Sequence, residues 1–221
     1  MDIRNNIAFF RKQFEGKNCR LVAVSKTHGV EKVLEAYDAG QRIFGENKVQ
    51  ELTAKQPQLP HDIEWHFIGH LQTNKVKQVV PFVSLIHSVD SLKLLEEINK
   101  QAKKIKRNVS CLLQVFIANE ETKFGFDEAD LIALINSGEI ASLDSVHVNG
   151  LMGMATFTDN KEQVRKEFKG LKKSFDHLSA MNLPPNVEMK ELSMGMSQDY
   201  EIAVEEGSTL VRIGTAIFGG R

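Results

Sequence analysis

The feature that most limits what this chain can fold into is an eightfold alternation. Eight short apolar runs are separated by charged, amphipathic stretches: Arg20–Ser25, Arg42–Gly45, Trp65–Gly69, Val83–Val89, Val109–Phe116, Val146–Met152, Val187–Ser193 and Thr209–Ile213. Such runs alternating with helical segments are the pattern of a parallel sheet with helices outside. Eight is also the number that closes the sheet into a barrel, in chains of typically about 250 residues. An open doubly wound sheet is the competitor, but no G-x-G-x-x-G follows the first run. No Gly/Pro/Ser-rich linker divides the 221 residues. The expectation is one domain over residues 1–221, a single (β/α)8 TIM barrel.

Helix ends are readable in several places. Ser91–Arg107 puts Leu92, Leu95, Ile98, Ala102 and Ile105 on one stripe. Asp127 before Glu128–Asn136, with Gly138 after it, supplies a cap at each end. Gly40 closes Val30–Ala39, and Ser197 is expected to cap Gln198–Glu206. After the eighth run only Gly214–Arg221 remain, too few for a covering helix. The extra N-terminal helix, Asp2–Phe14, has no strand before it and could fill that gap.

Composition then excludes several classes. With 28 basic and 29 acidic side chains the formal charge is -1, which gives no pull toward nucleic acid or an anionic membrane surface. Two cysteines, Cys19 and Cys111, are too few for a disulfide framework. The first fifteen residues are charged throughout, and the longest apolar stretch, about Val79 to Val89, is too short to span a bilayer. A cytoplasmic monomer is expected.

In such a barrel, chemistry belongs at the C-terminal ends of the strands. Lys26 ends the first run and, by alternation with Val22 and Val24, points toward the barrel mouth. Desolvated near another cation it would be a nucleophile toward aldehydes; taken alone it reads better as a surface lysine whose stem covers apolar neighbours. Arg212 lies inside the last apolar run, where a guanidinium needs a partner. That partner is either an ion pair, with Glu191 or Glu46, or a ligand. Leu192–Ser197 and Gly214–Ala216 are loops of small and hydroxyl residues leading into helices, suited to a phosphate. His66 and His70 have zinc-helix spacing, but Phe67 stands where that motif needs a glutamate.

These residues fall in segments that resemble a known family. AVSKTHG (Ala23–Gly29), FGEN (Phe44–Asn47), HFIGHLQTNK (His66–Lys75), GLM (Gly150–Met152), LSMGMSQD (Leu192–Asp199) and VRIGTAIFG (Val211–Gly219) occur in this order. Together they are similar to the pyridoxal phosphate homeostasis protein family, whose fold resembles the N-terminal barrel of alanine racemase. The resemblance implies that Lys26 holds pyridoxal 5'-phosphate as a Schiff base. It implies that Ser193, Gly214 and Thr215 hold the phosphate, assisted by the backbone of Met194 and Gly195. Arg212 would face the pyridine nitrogen, with Asn47, His66 and Met152 near the ring. Lys123 matches a second lysine linked to cofactor exchange. The proline that many relatives carry just after the GLM segment is absent.

An arginine at the ring nitrogen cannot accept its proton, which weakens the ring as an electron sink. Transamination and decarboxylation are therefore poor expectations. Racemisation needs an acid on each face, and the two tyrosines offer one substitute at most, Tyr200. The expected function is cofactor binding and homeostasis, with delivery to apo-enzymes, rather than catalysis. The alternative is a slow single-domain racemase.

Overall fold

The computed structural model describes residues 2–118 and 124–220. Eight parallel strands close in sequence order: β1 (Arg20–Val24), β2 (Ile43–Glu46), β3 (Glu64–Phe67), β4 (Leu85–Val89), β5 (Val109–Val115), β6 (Val146–Gly153), β7 (Val187–Met196) and β8 (Leu210–Ile213). β8 returns to β1 with Leu21 beside Val211 and Val22 beside Arg212. Each expected apolar run holds one strand, displaced at its ends by three residues at most. β7 extends furthest past its expected end, through Ser193 to Met196, so Met194 and Gly195 are strand rather than loop.

The helices are α1 (Ile3–Phe14), α2 (Val30–Asp38), α3 (Val49–Lys55), α4 (Val76–Val79), α5 (Leu92–Lys104), α6 (Glu128–Asn136), α7 (Lys161–Ser179), α8 (Tyr200–Glu205) and α9 (Thr215–Phe218). Asp2 caps α1 through its side chain, and Ile3, Ile7, Phe10 and Phe14 on one face are buried. The Asn6 side chain donates to the carbonyl of Ile217 in α9 at 3.0 Å, so α1 covers the seam where the last strand meets the first. At α8 the cap is Asp199, not Ser197. The shift follows from Asp199 Oδ1 accepting the Met196 amide at 2.5 Å, which keeps the chain in a turn two residues longer.

Pleat alternation divides the core. One face of each strand packs under the helices, and Leu21, Phe44, Phe67, Ile86 and Val211 belong to that continuous outer layer. The other face fills the barrel, where Val22, Ile43, Leu85, Leu112, Met152 and Leu210 form a separate apolar cluster. Cys19 and Cys111 are free and buried, and burial pushes the Cys19 thiol up to about 11. α6 starts with a reciprocal box, the Asp127 and Asp130 side chains each accepting the other's amide. Replacing Asp127→Ala removes that cap. The expected loss is about 1 kcal/mol, seen as a melting temperature lowered by roughly 2–4 °C.

Candidate functional site at the barrel mouth

Lys26 follows β1 in a tight turn and is exposed. Among the described residues its amine enters no hydrogen bond or ion pair. The turn closes with the His28 amide donating to the Ser25 carbonyl at 3.1 Å, and Thr27 adopts a positive φ of 68°. Gly214, the residue after β8, lies against the same strand. A Cβ there would stand 3.1 Å from the Val24 carbonyl oxygen, so only glycine lets the start of α9 close on β1 without a shift. The Gly214 amide donates to Ser197 Oγ at 3.4 Å, and Thr215 is exposed beside it. The turns after β7 and β8 therefore meet at the end of β1.

Ser193 lies apart from this junction. Its side chain is fully buried inside the barrel, and its Oγ is engaged by Arg212 Nη1 at 2.5 Å and His87 Nδ1 at 2.9 Å. The hydroxyl that the two turns share belongs to Ser197. Sequence reading passed over Ser197 as a helix cap; the extension of β7 by three residues moves the turn, and with it the available hydroxyl. Met194 is likewise committed: its side chain is in the outer core and its carbonyl accepts from Ser208 Oγ at 2.8 Å. Gly195, at φ +92°, sits where a Cβ would meet that of Ala203 at 2.4 Å, so its role is close packing of α8.

Arg212 forms the floor. Only 4% exposed, it has neither Glu191 nor Glu46 as an ion-pair partner, because Arg20 holds Glu191 at 2.5 Å and Lys55 holds Glu46 at 2.7 Å. Instead Nη1 donates to the carbonyl and hydroxyl of Ser193, and Nη2 to the Gly153 carbonyl at 3.1 Å. These bonds use three of the guanidinium's five N–H groups and leave two. Burial lowers its pKa to about 10, with the Asp199 carboxylate opposing, so it stays charged at neutral pH. Met152 is buried in the apolar cluster inside the barrel. Asn47, just past β2, has a buried Oδ1 with no partner among the described residues, an acceptor open to a ligand donor.

His66 is not at the mouth. Its Nδ1 lies 2.9 Å from His87 Nε2, and its ring lines a cavity of about 500 Å³ at the opposite, N-terminal end, with Arg20, Glu64 and Asn149. Strand parity explains the placement, since His66 is the third residue of β3 and pairs with Leu85 at the very start of β4. Lys123 lies outside the described residues. Sequence reading missed His87, which resembles any other residue of an apolar strand.

Both histidines are neutral. Burial pulls His66 down to about 3 and His87 well below its ordinary value, with the nearby Arg212 charge adding to the effect on His87. A consistent hydrogen-bond direction runs from Arg212 to Ser193 Oγ, from its hydroxyl to His87 Nδ1, and from His87 Nε2–H to His66 Nδ1. The reverse sense leaves the buried Ser193 hydroxyl hydrogen without an acceptor.

The comparisons agree with this architecture. The family model described as "Alanine racemase, N-terminal domain" matches residues 1–221. A pyridoxal phosphate homeostasis protein from Aquifex aeolicus is 44% identical over 93% of this chain and 89% of its own. The human protein of that name is 40% identical over 91% of this chain and 76% of its own. PipY of Synechococcus elongatus, solved without PLP, superposes with a TM-score of 0.91 at 39% identity, covering 98% of this chain and all of PipY. A second PipY structure, with PLP bound, gives 0.88 at 38% identity over 98% of this chain and 100% of that one. An alanine racemase from Streptomyces lavendulae shares the fold, with a TM-score of 0.81 at 16% identity, and the chain spans 57% of its length.

Fold and site thus define a barrel of the alanine racemase N-terminal type, with Lys26, Ser197 and Thr215 brought together at the C-terminal mouth. The chain belongs to the pyridoxal phosphate homeostasis protein family.

A histidine held neutral below its unfolded pKa of about 6.5 makes the unfolded state bind more protons. Stability conferred by leaving His66 and His87 neutral is fully present above pH 6.5 and is lost as pH falls below it, for His66 over the range down to about 3. Urea unfolding between pH 7.5 and 5.0 should show a fall below 6.5 approaching about 1.4 kcal/mol per pH unit for each histidine. His66→Asn should flatten the slope, and an unchanged slope would contradict the neutral pair.

Proposed function

We propose that this protein binds pyridoxal 5'-phosphate at the barrel mouth, with Lys26 as the covalent anchor. The observation that carries the reading is an exposed, unpaired primary amine at the end of β1, beside the junction of the turns after β7 and β8. The residues present fit the group. Ser197 Oγ, Thr215 and the backbone of Gly214 would hold the phosphate, the two uncommitted N–H groups of Arg212 would face the ring nitrogen, and Asn47 Oδ1 would accept from a ring substituent. The name of the Aquifex aeolicus relative and the PLP-bound form of PipY support the same ligand.

Pyridoxal phosphate supplies an aldehyde that condenses with a primary amine with loss of water. In this chain Lys26 provides that amine, Arg212 fixes ring orientation without taking the ring proton, and Ser197 fixes the phosphate. Racemisation has weaker support. The Tyr200 ring packs edge-on against Phe10 and Phe14 of α1, with centroids 5.4 and 6.0 Å apart, and its hydroxyl donates to Glu201. Tyr37 donates to Asp62 on the outer surface. Neither tyrosine is placed to act across the ring from Lys26. We therefore read the protein as a cytoplasmic carrier that limits free pyridoxal phosphate and releases it to apo-enzymes.

Borohydride reduction of the protein after incubation with pyridoxal phosphate should fix a pyridoxyl group on Lys26, located by peptide mass. Lys26→Ala should abolish the adduct. Ser197→Ala should weaken binding about tenfold, the worth of one charge-assisted hydrogen bond. No adduct in the unaltered protein sinks the reading.

A further inference from the structure

We propose that Lys55 and Glu51 on α3, with Glu46 at the end of β2, are positioning residues that set the Lys26 turn for attack on the aldehyde. The inference rests on the preceding reading of Lys26. Its starting point is a polar cluster where the outer core would otherwise be apolar. The Lys55 side chain is 7% exposed and that of Glu46 is fully buried, in an environment where charges occur only when paired. The three donors of the Lys55 ammonium are all used: Nζ donates to Glu46 Oε1 at 2.7 Å, to Glu51 Oε1 at 2.6 Å and to the Ser25 carbonyl at 2.9 Å.

The bonds of this cluster end on the residues either side of Lys26. On one side, Ser25 is held twice, through its carbonyl by Lys55 and through Oγ, which donates to Glu46 Oε1 at 2.7 Å. On the other, the Thr27 amide donates to Glu51 Oε1 at 2.6 Å. Thr27 is β-branched and has φ 68°, a conformation such residues avoid unless something outside the residue holds them there. Glu51 is that restraint. Anchoring α3 does not require it, since Val49 and Leu52 already bury the helix against the barrel.

The consequence concerns the covalent step alone. The Lys26 nitrogen bonds to the aldehyde carbon, two nitrogen-bound hydrogens are lost and the carbonyl oxygen departs as water. A turn held at both flanking residues presents the amine along one path, whereas a free turn samples many. Among the described residues no hydrogen bond or ion pair joins the cluster to Ser197 or Gly214, so the proposal separates the covalent step from phosphate holding.

The test uses the full chain and two ligands. Pyridoxal phosphate reports the covalent step through the rate at which its absorbance changes. Pyridoxine 5'-phosphate, which has the ring and phosphate but no aldehyde, reports non-covalent holding. Glu51→Ala should slow attachment about tenfold, and Glu51→Gln, which keeps an acceptor, by less. Both variants should bind pyridoxine 5'-phosphate within twofold of the unaltered protein. Lys55→Met is a harsher variant that exposes the same defect if it folds, and Glu51→Ala carries the test if it does not. Attachment at the unaltered rate in Glu51→Ala overturns the inference, as does an equal loss in both ligands, which would mark general distortion of the mouth. A missing Lys26 adduct in the unaltered protein removes the reading of Lys26 and this inference together. A normal adduct with indifferent variants removes the inference alone.

Discussion

A single buried guanidinium organises the interior of this barrel. Arg212 is taken out of water with no carboxylate in ion-pair contact among the described residues, so apart from the Asp199 charge nearby it is met by oriented neutral groups. The acceptors come from two neighbouring strands, Ser193 within β7 and Gly153 at the end of β6. Ser193 is then tied to His87 on β4 and through it to His66 on β3. Five of the eight strands thus share one hydrogen-bonded chain. Losing one member would strand a buried donor or acceptor, which is costlier than the net worth of the bond itself. Burial keeps both histidines uncharged, and a cation on His87 would in addition be repelled by Arg212.

The apolar half of the interior has the complementary task. Val22, Ile43, Leu85, Leu112, Met152 and Leu210 come from the other positions of the same inward faces. They occupy the space beside the polar chain, so the barrel is a packed core rather than a pore. With the floor fixed in this way, the mouth is built from short turns placed by strand ends. The clearest case is Gly214, whose missing side chain lets the turn after β8 touch β1. Lys26, Ser197 and Arg212 come from three strands, and none of them is near another in sequence.

How much of this was legible in the sequence follows from which physical rule decides each feature. Strand identity and order depend on local hydrophobic runs, and those are visible residue by residue. The α6 cap at Asp127 depends on a three-residue spacing, which is visible too. The choice between Ser193 and Ser197 depends on where β7 ends. That end is set by the Asp199 carboxylate accepting the Met196 amide and by the pairing of Met196 with Arg212 across the strands. Neither is a property of the segment itself, and a run of small residues reads equally well as strand or loop. His66 lies away from the mouth for a related reason. Its motif is recognisable, but depth along the barrel axis depends on register with β4. The partner of Arg212 was unpredictable because Glu191 and Glu46, the sensible candidates by charge, were already engaged by Arg20 and Lys55.

The distribution of ionisable groups bears on whether such a mouth is suited to holding a reactive carbonyl compound or to transforming one. Transformation needs groups that exchange protons near neutral pH on both sides of the substrate. Here the two histidines nearest the floor are locked neutral and locked in direction by Ser193, so they cannot act as exchangeable acids without breaking the network that keeps Arg212 buried. Tyr200 is spent on packing α1 against the barrel, and Tyr37 on an outer-surface bond to Asp62. The carrier reading draws on an exposed amine, hydroxyls, backbone amides and a permanent cation at the mouth. Other ionisable groups follow the same strand ends, His28 after β1 and the His70–Asp90 pair after β3 and β4, and they lie outside the buried chain that holds Arg212. On that reading Lys26 captures the aldehyde reversibly, and the neutral histidine pair serves to hold the floor rather than to exchange protons.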